Sequence, residues 1–175
     1  MRSDQLDAML RLSTRGQIVA ATGRRMSGEK GRQRLRDLSS RLVRLHTLLL
    51  DGERRVHEHA HGPVEPAHLL QAVIHHEQFA WLRALSALIA RIDEALDDDE
   101  AAGPADVESF VREVQRLLRS GADGTFERKY LAALQDSPDV VMAHAEVVKV
   151  LRAGVEQTLE DLRAGRFVRD EPRDE

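Results

Sequence analysis

Eight histidines in a chain of 175 residues with no cysteine are the groups best suited to chemistry here. His57, His59 and His61 lie in the string HEHAH, His68 and the pair His75-His76 follow soon after, and His46 and His144 stand apart. Without thiols there is no disulfide, no thiolate zinc site and no sulfur nucleophile, so metal binding or catalysis must use His, Asp, Glu, Ser or Lys. One helical turn separates Glu53 from His57 and His57 from His61, so each pair shares a face. Glu58-x-x-His61 and Glu65-x-x-His68 also match the spacing of di-iron carboxylate bundles. Chance supplies such matches readily in a chain rich in both residues.

Position on an apolar stripe discriminates better than spacing. His76 falls between Ala72 and Ala80, His144 falls between Val141 and Val148, and His46, Glu53 and His57 follow one another at intervals of seven and four. A bundle could bring His46, Glu53, His57, His76 and His144 to one interior site for iron, zinc or manganese, as ferritin-like or hemerythrin-like bundles do. The contiguous string His75-His76-Glu77 is not itself a hemerythrin signature, whose ligands are spaced by helical turns. The plainer expectation is preferred: no cofactor, His76 and His144 at the core edge satisfied by a carbonyl or carboxylate, and HEHAH a solvated helix end where protonated imidazole suits the negative pole.

Other candidates carry less. Ser86 and Asp93 share a helix flank, but no His accompanies them in the pattern, and Ser86 is expected to bond a carbonyl one turn earlier. Trp81, the one tryptophan, is expected in the core or at a dimer interface. The acidic run from Asp97 to Glu100 lacks the glycine and terminal glutamate of a calcium loop and is expected to be a solvated connection. No phosphate-cradling glycine loop or dinucleotide fingerprint is present.

The elements that must position these groups read as helices. Ala, Leu, Arg and Glu are abundant, aromatics make up only 3%, and no segment alternates with period two. Leu35, Leu38, Leu42, Leu45, Leu49, Val56 and Ala60 mark the buried stripe of a helix from about Gly31 to His61, stopped by Gly62-Pro63. A second, uninterrupted helix is expected from Pro66 to about Leu96, antiparallel to the first because the connection is short. Pro104 to Ser120 reads as a third helix and about Thr125 to Gln135 as a fourth. Ser137-Pro138-Asp139 starts a fifth that runs through Val140, Val141, Val147, Val148, Leu151, Val155 and Leu159 to Leu162.

The expected fold is therefore all-α, an antiparallel four- to five-helix bundle over residues 29–165. Residues 1–28 hold five Arg against two Asp and only a short apolar periodicity. They are expected to be a flexible or loosely docked basic tail, a weak helix followed by coil, with Met26 as a second candidate start. Residues 166–175 form a charged tail. A net charge of −4 disfavours a general nucleic-acid binder, and no apolar run approaches the ~20 residues that cross a bilayer. A soluble, cytoplasmic protein is expected.

The stretch Phe79-Ala80-Trp81-Leu82, with Leu85-Ser86, Leu88-Ile89 and Ile92-Asp93-Glu94, resembles small bacterial all-helical proteins of no established activity. Leu45-His46, Phe126, Tyr130 and Pro138-Asp139-Val140-Val141 extend the likeness over about residues 40–152. The resemblance implies the helical fold and no mechanism. Non-catalytic action through protein contacts, as a homodimer, is the first functional expectation. A metal-binding bundle is the second, and a regulator reaching nucleic acid with its basic arm the third.

Overall fold

The computed structural model describes residues 3–63, 65, 68, 71, 73, 75–98, 104–120 and 124–163, with most side chains from Gly28 onward. All regular structure among them is helical. Five helices pack against one another: α1 (Ser3–His61), α2 (Arg83–Asp97), α3 (Pro104–Ser120), α4 (Gly124–Asp136) and α5 (Pro138–Arg163). A 3₁₀ segment, Glu77–Leu82, leads into α2. None of the helices searched is long and apolar enough to cross a membrane.

The centre of the core is α1. Leu35, Leu38, Leu42, Leu45 and Leu49 are all essentially inaccessible and recur at alternating steps of three and four, the spacing of a heptad seam. Polar residues flank that seam on both sides. On one flank, Arg32, Ser39, His46 and Glu53 stand seven residues apart, and each bonds the partner strand of chain: Arg32 donates to the Leu96 carbonyl, Ser39 to Asp93, His46 pairs with Ser86, and Glu53 accepts from Trp81. Moving forward along α1 means moving backward along α2, so the two are antiparallel. On the other flank, Arg34 donates to the carbonyls of Val150 and Leu151, and Arg41 pairs with Glu146 at 3.7 Å. This pairing runs antiparallel too, and it sets α5 against the opposite side of α1.

The remaining helices bury matching stripes. Leu85, Leu88 and Ile92 come from α2, and Val107, Val111, Val114 and Leu117 from α3. Phe126 and Tyr130 come from α4, and Val140, Ala143, Val147, Val150 and Leu151 from α5. Close packing of α1 on α3 is visible at Gly31, where an added Cβ would meet Val107 Cγ2 at 3.4 Å. Punctuation acts as its chemistry dictates. Gly62 takes φ +87°, with its N–H on the Glu58 carbonyl, and ends α1, while Ser137 Oγ accepts from the Val140 N–H ahead of a first-turn proline.

Four expectations are corrected. Coil was expected after a weak helix within residues 1–28, but the helix is continuous from Ser3 to His61; the side chains of residues 1–27, and residues 164–175 with the charged C-terminal tail, lie outside the description. The uninterrupted helix from Pro66 to Leu96 is broken. His76 is extended (φ −82°, ψ 133°) and its Nδ1 accepts from the Gln78 N–H, capping the 3₁₀ segment. The cause lies in the apolar spacing of Phe79, Trp81 and Leu82, all buried. Eclipsed 3₁₀ geometry confines three such side chains to an arc of about 120°, where an α-helix would spread them over about 160°. The stripe on α5 is also rotated: Ala143 and Val150 face inward, while Val141 is 43% exposed. Val56, placed on the α1 stripe, is 62% exposed because the leucine seam ends at Leu49.

Leu45→Ala should cost about 2–5 kcal/mol in urea denaturation, as an enclosed leucine does, whereas Val56→Ala should change stability by less than about 0.5 kcal/mol.

Candidate functional site

The polar groups concentrate where the C-terminal end of α1 meets the 3₁₀ segment and α4. Glu53 is the hub. Its Oε1 accepts from Trp81 Nε1 and from Lys129 Nζ, both at 3.0 Å, and its Oε2 accepts from Gln78 Nε2 at 3.0 Å. Lys129 also donates to the Gln78 carbonyl and lies 5.8 Å over the Trp81 ring. The Glu53 side chain is only 14% exposed, so a carboxylate is tolerated there because every neighbouring donor is turned toward it.

Gln78 links this hub to the histidines. Its Nε2 donates to the backbone carbonyl and the carboxylate of Glu53, which fixes the amide and leaves Oε1 as an acceptor for His57 Nδ1 at 3.1 Å. His61 Nδ1 donates to the His57 carbonyl at 3.1 Å. The His57 and His61 rings stack with centroids 4.4 Å apart, and His76 stands edge-on to them at 5.2 and 6.3 Å. Of the three histidines in HEHAH, therefore, His57 is buried and His59 and His61 are exposed. His76, expected on the buried face, is exposed, because the chain is extended rather than helical at that residue.

His46, Glu53, His57, His76 and His144 do not converge on one interior site. His46 is two turns up the seam flank from Glu53, and its Nε2 lies 2.8 Å from Ser86 Oγ. Ser86 also donates to the Leu82 carbonyl one turn back, as expected. Both contacts are met at once when Ser86 gives its hydrogen to the carbonyl and accepts one from His46. The pair is then an interhelical clasp, with the serine hydrogen directed away from the imidazole. His144 sits across the bundle, sharing one hydrogen with Tyr130 Oη at 2.7 Å, at the end of a row of rings running from Trp81 through Phe126 and Tyr130. Among the described residues, no group of three or more His, Asp or Glu has the geometry to hold a metal.

Sequence reasoning missed Gln78 and Lys129. Gln78 gave no signal, since its role depends on the break at His76. Lys129 gave a weak one: it is one of three lysines in a chain with 23 arginines.

Burial lowers His46 and His144 below the ordinary imidazole range and raises the Tyr130 phenol above its own. Well above about pH 6.5 both imidazoles are neutral in folded and unfolded chain alike, and they give stability no pH dependence. As the pH falls below that value the unfolded chain takes up protons first, so stability declines until the lowered folded values are passed. A His46→Gln, His144→Gln double variant should show a flatter loss of stability just below about pH 6.5, measured by denaturant titration at a series of pH values. Glu53→Ala should cost about 3 kcal/mol in the same assay, more than Lys129→Ala, because it removes an acceptor from three donors at once.

Compared with family models, with curated proteins and with solved structures, the chain matches none, so its likeness to small bacterial helical proteins reduces to a shared all-helical character.

Proposed function

We propose that this all-helical protein acts non-catalytically, through contacts with other protein, and that its first partner is a second copy of itself. The observation carrying this is a set of large apolar side chains in water on one hairpin. Leu131 on α4 is 50% exposed, and Val141 and Met142 on α5 are 43% and 63% exposed. They flank the Ser137 turn, six residues before it and four and five after, so at the helical rise all lie within about 9 Å of the turn along their helix axes. Apolar groups gathered at one tip are suited to meet the same tip of a partner across a two-fold axis, where each copy covers the other.

The polar hub supports the same reading from the other direction. Glu53, Lys129, Trp81 and Gln78 satisfy one another, and Ser86 with His46 closes a bond between helices. These groups hold the bundle in one arrangement and leave its surface to make the contacts.

Sedimentation equilibrium should find a dimer for the natural chain and a monomer for Leu131→Lys, Met142→Lys, with the helical circular dichroism of the variant unchanged. A natural chain that is monomeric at every concentration would rule out the self-association.

A further inference from the structure

We propose that His76 is an acid-released cap, by which one proton frees the start of the 3₁₀ segment from the end of α1. Its Nδ1 accepts the Gln78 N–H at 3.2 Å, so the ring's own hydrogen is on Nε2 and the capping lone pair is also the place where a proton adds. An imidazolium carries hydrogen on both nitrogens and accepts nothing. Protonation therefore sets one N–H against another, and the cap is lost outright. Imidazole is the side chain that changes charge between about pH 5 and 8, so the release falls in the range a cell can reach.

The neighbouring rings differ from His76 in one respect. Each Nδ1 of His57 and His61 faces a carbonyl oxygen at 3.1 Å and donates to it, so a proton added to either ring goes to Nε2 and the bond survives. His61 lies in the last turn of α1, at the negative pole of the helix, where positive charge is favoured. The His76 ring stands edge-on to both, with centroids at 5.2 and 6.3 Å. Acid thus leaves the two α1 rings in place, and once charged they repel a charged His76 from the position it caps.

The other charged groups around the cluster do not replace the cap. From α4, Lys129 bonds the Glu53 carboxylate and the Gln78 carbonyl, an ion pair whose charges offset each other. Glu58 is half-buried beside His57, and His75 and Glu77 are exposed on either side of His76. The two carboxylates offset part of the added charge without giving the Gln78 N–H an acceptor. Gln78 is the residue whose side chain holds Glu53 and His57 together, so freeing its N–H loosens the bridge between the 3₁₀ segment and α1.

Two-dimensional NMR of the full chain between about pH 8 and 5 tests this. The Gln78 amide signal should move with the same midpoint as the His76 ring. Its hydrogen exchange, corrected for the intrinsic effect of pH, should be at least about threefold faster with the ring protonated, as the loss of one capping bond implies. His76→Asn keeps an oxygen that can accept the Gln78 N–H and takes no proton in this range, so both effects should vanish while the helical circular dichroism is unchanged. His75→Asn, exposed and one residue away, should retain both. A Gln78 amide that does not follow the His76 ring, effects that persist in His76→Asn, or effects lost equally in His75→Asn would overturn the proposal.

Discussion

Four polar side chains, each seven residues from the next on α1, decide where α2 and the 3₁₀ segment lie. Leucine packing alone would tolerate sliding by a turn, since one leucine resembles another at the seam. Arg32, Ser39, His46 and Glu53 each have a specific partner, and a shift of α2 by one turn would strand all four. Leaving such groups unpaired in a half-buried position costs roughly 1–3 kcal/mol each, so the alternative registers are disfavoured by the sum. The apolar seam supplies the drive to associate, and its polar border supplies the alignment.

That alignment has a local cost at His76. An α-helix running on from residue 75 would turn Phe79, Trp81 and Leu82 over too wide an arc for all three to be buried. The chain instead becomes extended for one residue and then tightens, and the His76 ring satisfies the N–H that the break exposes. The break brings Gln78 beneath α1, where it reaches Glu53 and His57 together. Packing of three apolar residues thus places the polar hub and sets the orientation of the histidines beside it.

Much of the helical layout was legible because it is written in local chemistry. Pro104 and Ser120, Pro138 after Ser137, and Gly62 before Pro63 mark boundaries whose causes are confined to a few residues, and the alternating three-and-four spacing from Leu35 to Leu49 specifies a seam by itself. The histidine site was not legible in the same way. Placing His76 inside assumed one helical phase from Pro66 to Leu96, and the 3₁₀ segment resets that phase. Gathering His46, Glu53 and His144 at one point treated a seam flank, a hub and a distant helix as a single face. Partners such as Lys129 on Glu53 lie 76 positions apart in sequence, and no periodicity within one helix can announce them.

Trp81 occupies a spot with a further implication. It is the chain's one indole, its N–H is held by Glu53, an ammonium lies over its face and Phe126 meets its edge. Its fluorescence therefore comes from a single place, where three parts of the bundle meet. Any event that loosens the end of α1, the 3₁₀ segment or α4 must alter the field around that ring, so the emission colour of the unlabelled chain is a built-in gauge of this junction.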